Sequence, residues 1–185
     1  MSQAPVQPIN LTEAIARSAL AGELRELRRL PSVRVEKIRV GTLLWVREPF
    51  RMAEEHNAVS PSQAIAITGD LTVDYAADRG PRRGGFGRLR FAREMPRTIS
   101  RAVLRVIAVR REPLQDIGDF HLKAEGFATR RDFARAWNAA VSQWQAPGAR
   151  RRWEDNPEVF VITFQALRIN IDALLDGQPA EMVAA

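Results

Sequence analysis

Cysteine is absent from the 185 residues, and histidine and lysine occur only twice each, as His56, His121, Lys37 and Lys123. Without cysteine neither a disulfide framework nor a thiolate zinc site can form, and two histidines do not furnish a histidine-rich metal centre. No metal or other cofactor is expected. Long apolar runs are missing too, since nowhere do eighteen apolar residues follow one another, and no membrane-spanning helix is expected. The opening stretch MSQAPVQPIN has no basic residue followed by an apolar run. A signal peptide is therefore not expected, and the cytoplasm is the default location.

Arginine is plentiful. All but two of the 28 basic residues are arginine, and the formal charge is +6. A planar fork of donors suits phosphate and can stack on bases, so a polyanionic partner is indicated, with genomic base composition as the competing explanation for the count. Placement says more than the total: from Arg79 to Arg111 the only acid is Glu94. That third of the chain is a candidate anion-binding surface, with a solvated basic loop (residues 79–93) as the alternative.

The length suits one domain with a proper core. Residues 1–9, small, polar and interrupted by proline, are expected to form a disordered arm, and residues 169–185 a tail. A helix is predicted over residues 11–21 from the spacing of Leu11, Ile15 and Ala19, with Asn10 and Glu13 as its cap and Gly22 as its stop. Residues 23–30 either extend that helix or form a strand. Residues 33–40 read as extended. The segment GTLLWVREPF, residues 41–50, is the strand around which the rest is organised: Leu43, Trp45 and Arg47 face one way, Leu44, Val46 and Glu48 the other, and Pro49 ends it beside a cation and an anion.

Residues 64–68 and 71–75 alternate about Gly69-Asp70 and are predicted to form a hairpin. Residues 101–111 make the longest strand candidate, with Ala102, Leu104, Val106 and Ala108 on one continuous apolar face; it should be central. A short helix follows Pro113 and ends at Gly126. A second helix starts at a Thr129–Asp132 capping box, carries Phe133, Trp137, Ala140, Val141 and Trp144 on one stripe, and breaks at Pro147-Gly148. Residues 159–167 form a last strand, and one helical turn is predicted at residues 171–175. The sum is five or six strands without regular helix alternation. An α+β domain with a mixed or antiparallel, barrel-like sheet is preferred to a doubly wound parallel one.

Four segments in order, LWVREPF, EMPRTISR, LQDIGDFHLKAEGF and RWEDNPEVFVITF, resemble the ASCH domain proteins of phage and bacterial genomes, within the PUA-like superfamily. The resemblance spans residues 11–167 and implies a small β-barrel with flanking helices and a cleft for RNA or a modified nucleoside. Some members are amidohydrolases of acetylated cytidine, and others are proposed ribonucleases. In the amidohydrolases a segment after the first helix supplies a lysine and a threonine, and a later short helix supplies a glutamate. The matching positions here are Leu24, Leu27 and Glu125, so one of the three catalytic groups implied by the resemblance is retained. Arg28 and Arg29 match the basic pair that ends the segment.

These readings give Glu125 as the candidate catalytic residue and Arg28, Arg29, Arg47, Glu48, Arg97, Arg101 and Trp153 as candidate ligand contacts. Arginine would meet phosphate, Glu48 a base amino group, and Trp153 a base face. The preferred expectation is a module that binds RNA or a nucleotide-like ligand and has lost hydrolytic activity. The alternatives are a nucleoside or RNA hydrolase using Glu125 with Glu48 or His121, and a phage-related protein-interaction factor.

Overall fold

The computed structural model describes residues 4–78, 80, 84–142 and 150–183. Its main sheet contains six strands: β1 (Val6–Asn10), β2 (Glu26–Arg29), β3 (Leu43–Arg47), β6 (Val103–Pro113), β7 (Glu158–Arg168) and β8 (Glu181–Met182). The order is β1-β3-β6-β7-β2, with β8 also on β7. Because β6 occupies one edge of β7 along its length, β2 and β8 share the other, at residues 160–163 and 167–168. Only β1 and β3 are parallel. The architecture is therefore α+β with a mixed sheet, and among the described residues that sheet is an open path that does not close on itself. A two-stranded sheet of β4 (Phe50–Met52) and β5 (Val73–Tyr75) lies beside it. No described helix is long and apolar enough to cross a membrane.

Three expectations are corrected. The predicted disordered arm contains β1, whose backbone pairs with β3 and whose Ile9 is buried. Pro8 is tolerated because an edge strand has one side free of ladder bonds. The predicted hairpin does not form: residues 61–68 are helix α2 (Pro61–Thr68), with a capping box between Ser60 and Gln63 and Pro61 in the first turn. Gly69, at φ +76°, is the left-handed residue that ends this helix rather than a hairpin turn. Residues 33–40 hold a 3-10 turn, Val35–Lys37, in place of an extended run.

The other predicted helices form, with the first starting later than predicted and capped by Thr12 in place of Asn10, which belongs to β1. Helix α1 (Glu13–Leu20) is capped by Thr12, whose hydroxyl accepts from the Ile15 amide. Helix α3 (Asp119–Ala124) ends before Gly126, and α4 (Arg130–Ser142) begins with the reciprocal Thr129–Asp132 hydrogen bonds. Trp144 and the Pro147-Gly148 break lie outside the described residues, as does part of the basic loop. Helix α5 (Ile171–Leu175) occupies the predicted turn.

Strand alternation sorts the core into layers. On one sheet face Leu27, Leu44, Val46, Leu104, Val106 and Ile162 are buried with Ala16, Ala19 and Leu20 of α1. The opposite face has two apolar patches. Val159 and Val161 lie with Leu122 of α3 and Phe133 and Trp137 of α4, whereas Leu43, Trp45, Val103 and Leu167 lie with Ile171 of α5.

A bulge decides what occupies the space between them. The register of β6 on β7 slips between Val106 and Ala108, leaving Ile107 as the extra residue, 52% exposed. The predicted apolar face therefore stops at Val106, and Val109 rather than Ala108 rejoins the α1 core. An extra residue reverses the alternation beyond it. Arg110 and Glu112 are thereby turned to the α3 side, the face that also bears Arg28.

Candidate functional site

Glu26 and Arg28 project from the same face of β2, two residues apart, and Arg110 and Glu112 do the same on β6, with β7 between. Arg28 and Arg110 both pair with Val161, and Glu26 is opposite Thr163. Helix α3 lies over these rows and adds His121 and, at its C-terminal end, Glu125. The Arg25 amide donates to the Ala124 carbonyl at 2.8 Å, which ties β2 to the end of α3 and fixes Glu125 above Arg28.

The result is one continuous polar network. The buried guanidinium of Arg28 donates to Glu125 and to Glu112, with Glu26 3.9 Å away. Arg110 donates to Glu112 at 2.8 Å and to Glu26 at 3.1 Å. The Thr163 hydroxyl donates to Glu26 at 3.1 Å, and Nδ1 of His121 is 2.9 Å from the same carboxylate and 3.3 Å from Arg110. Arg28, Glu26 and Glu125 are buried, whereas Arg110 and His121 are part-exposed and form the mouth.

The three acids are not equivalent. Burial pushes the Glu125 carboxyl up to about 7, with Arg28 and Arg29 drawing it back and Glu26 adding to the rise. Burial also raises Glu26 and Glu112, but Arg110 with His121 and Thr163 at Glu26, and Arg110 with Arg28 at Glu112, more than offset it. Both lie below the ordinary carboxylate value. Near neutrality the network therefore holds two firmly ionised carboxylates and one that exchanges its proton, the pattern that allows proton transfer or donation to a ligand.

Beyond the mouth the sheet face is polar and partly exposed, with Gln165 donating to the Met182 sulfur at 2.9 Å. Between Val161 under α3 and Leu167 under α5, about 20 Å of β7 at ~3.3 Å per residue, the same face presents Thr163 and Gln165. Alongside on β6 it presents Arg105 and Ala108, both exposed, with Arg105 opposite Gln165. Arg105 has no ion pair or side-chain hydrogen bond among the described residues. The strip of polar sheet between the α3 and α5 patches, with Arg110 and His121 at its α3 end, is called the trough below.

The predicted residues divide between this site and others. Glu125, Arg28 and His121 come together; Arg29 is nearby, half-buried and donating to the Arg28 carbonyl at 3.1 Å. Glu48 and Arg101 are at the other end of β6, about 30 Å away along an extended chain at ~3.3 Å per residue. There Arg101 donates to both oxygens of buried Glu48, at 2.9 and 3.1 Å, pairs with Asp78 at 2.7 Å and lies over Tyr75. Glu48 therefore cannot act with Glu125. Arg97 pairs with Asp172 at 2.6 Å, and Arg47 lies over Trp45. The expected single cleft lined by Arg28, Arg47, Glu48, Arg97, Arg101 and Trp153 is corrected accordingly. Trp153, half-buried, packs edge-on against Phe133, 5.9 Å between centroids, beside the α4 core and apart from Arg47, Glu48, Arg97 and Arg101. Leu24 and Leu27 are buried in the α1 core.

The arginine-rich third is also redistributed. Of its eight described arginines, Arg88 and Arg90 pair with Glu94, Arg97 with Asp172, Arg101 with Glu48 and Asp78, Arg110 with Glu26 and Glu112, and Arg111 with Glu158. Sequence reasoning missed Glu26, Arg110, Glu112, Thr163, Gln165 and Arg105. A signal existed in two matching patterns, Glu-x-Arg in β2 and Arg-x-Glu in β6, which put opposite charges on one face of each strand. Among the described residues no group of three or more histidine or acidic side chains could hold a metal ion.

No protein-family model matches the chain, and no curated protein matches it. Among solved structures, that of protein EF3133 from Enterococcus faecalis V583, of the family DUF984, is similar over 96% of this chain and 84% of that one, with 10% identity and a TM-score of 0.48. At that score the likeness assigns neither fold nor function.

Proposed function

We propose that the chain is a PUA-like module of ASCH type that binds a nucleotide-like ligand, free or within RNA, in the trough between α3 and α5. The observation that supports this most is the pairing of a partly exposed polar sheet face, with Arg105 unpartnered, to a rim where Arg110 and His121 reach solvent. Arg105 meets phosphate. Arg110, its plane fixed by Glu26 and Glu112, and His121 present hydrogen-bonding edges to a base or sugar. Buried Arg28 and Glu125 hold that rim in place. The module is proposed to act in the cytoplasm.

Hydrolysis is the second reading, favoured by Glu125 near 7 and by the Thr163 hydroxyl in the same network. It is the weaker one. The Thr163 hydroxyl donates to Glu26, a carboxylate held below its ordinary value and so a poor base. An arginine does not replace a lysine base. The positions where the resemblance requires lysine and threonine are apolar core.

The test is a salt titration of binding to short single-stranded RNA beside an assay with acetylated cytidine. Binding that weakens as salt rises, without turnover, is the expected outcome. Turnover abolished by Glu125→Ala would establish the hydrolase instead, and neither binding nor turnover would remove both readings.

A further inference from the structure

Five arginines bury an Nε that has no hydrogen-bond partner: Arg28, Arg47, Arg51, Arg90 and Arg97. Four of them donate through their terminal nitrogens. Arg28 serves Glu112 and Glu125, Arg51 serves Asp74 at 3.3 Å, and Arg97 serves Asp172. Arg90 reaches the carbonyls of His56, Asn57 and Val59 at 3.1, 3.2 and 2.8 Å and Glu94 at 3.4 Å.

Arg47 differs. Among the described residues no carboxylate or carbonyl accepts from its guanidinium, which is half-buried with its carbon 4.6 Å over the centre of the Trp45 ring. Burial lowers its pKa, and the charge of Arg34 lowers it further, with no carboxylate offsetting either effect. On β1 the register partner of Arg47 is Asn10, which is exposed and carries an amide able to donate. A half-buried cation with an unsatisfied Nε and no counterion is poorly stabilised, and a second positive charge within range repels it. A stacked, planar guanidinium with its outer N–H groups unengaged is a ready receptor for an oxyanion.

We infer that Arg47, Arg34 and Asn10 form a binding site for a phosphate-class dianion. The guanidinium of Arg47, held flat by Trp45, gives two parallel N–H bonds, Arg34 balances the second negative charge, and Asn10 donates to a further oxygen. The site is separate from the trough. Trp45 lies on β3 between Arg47 and Leu43, the register partner of Arg105, and both apolar side chains belong to the α5 patch.

The experiment follows the thermal unfolding midpoint of the full chain in inorganic phosphate and in acetate at matched ionic strength. A ligand that binds only the folded state raises the midpoint with its concentration. The parent is expected to respond to phosphate and much less to acetate. Arg47→Gln should weaken the apparent affinity at least tenfold. Arg34→Gln changes an exposed residue whose loss leaves the fold intact, and it should weaken the affinity severalfold. No response in the parent would overturn the assignment, as would equal phosphate responses in all three proteins. An acetate response as large as that to phosphate would overturn the phosphate class. RNA binding in the trough is read separately through Arg105→Gln, so the two readings fail independently.

Discussion

At one end of β6, Arg101 holds two carboxylates; at the other, Arg28 holds two and has a third beside it. The residue types match, yet the surroundings differ in what is left over. Arg101 grips both oxygens of Glu48, reaches Asp78 with another nitrogen, and lies 3.9 Å from the centre of the Tyr75 ring, whose hydroxyl donates to the Ile99 carbonyl. Glu48 is sealed beneath it, its pKa raised by burial against the pull of Arg101. That assembly is closed in its pairing rather than sealed from solvent, since Asp78 is exposed: it joins the end of β3 to the segment after β5. Around Arg28 three acids share two close guanidinium groups, one acid is pushed to about 7, and Arg110 and His121 reach water. Paired charges alone do not mark a binding site. In the proposed reading the α3 end is set apart by unequal numbers of acids and guanidinium groups and by a carboxyl pushed up to about 7.

The comparison breaks most sharply if the two arginines are removed in turn. Arg28→Met keeps the buried stem but strands Glu125 and Glu112, and should cost about 3–5 kcal/mol of unfolding free energy, the usual penalty for removing one partner of a buried pair. Arg101→Met strands only Glu48 and leaves a site with solvent access, so about 1–3 kcal/mol is expected. Urea denaturation measures both. A larger loss at Arg101 would mean that the closed end, not the α3 end, dominates the electrostatic stability of the sheet.

The same contrast explains what the sequence disclosed. Long strands and capped helices were legible because their signals are local: the apolar alternation of β7, the Thr129–Asp132 box, the run through Leu43 to Arg47. Glu125 has no local signature and came only from the ASCH resemblance, as did Arg28, although the Glu-x-Arg pattern of β2 contains it. The trough escaped because it depends on the slip between Val106 and Ala108. A strict two-residue period places Arg110 and Glu112 on the α1 face; one extra residue moves them beside Arg28, and no local residue announces it. The hairpin failed for a related reason. Gly69 suits a tight turn and a helix stop equally, and the Ser60–Gln63 cap decides between them.

A pH series on Glu125→Gln sharpens the contrast between open and closed ends. The folded state holds this proton up to about 7, whereas the unfolded chain releases it near 4.5. Between those values the folded form binds more protons, so the contribution of Glu125 to stability falls as pH rises through that window. Glu26 and Glu112 act in the opposite sense: their pKa values are lowered, so their contribution is present above 4.5 and lost as pH falls below it. The parent should lose unfolding free energy from pH 5 to pH 7, and Glu125→Gln should be flatter over that range while keeping the acid-side loss. An unchanged slope between pH 5 and 7 would show that Glu125 is ionised throughout and that the excess charge is absorbed elsewhere.

The smallest expected effect on the fold tests the trough itself. Arg105 is exposed and unpartnered on the polar floor, so Arg105→Gln should leave stability within about 0.5 kcal/mol. Its consequence should appear only with a polyanion. Removing one phosphate contact lowers the slope of log affinity against log salt by about 0.7 for a single-stranded nucleic acid. Arg111→Gln is the comparison: Arg111 is also on β6 and exposed, but it pairs with Glu158 at 3.3 Å and lies over Phe160, away from the floor. It should leave the slope unchanged. If both variants reduce the slope equally, RNA senses only the general positive charge of the chain. If Arg105 alone does so, the strand runs over the polar sheet, and Arg110 and His121 at its rim become the next positions to change.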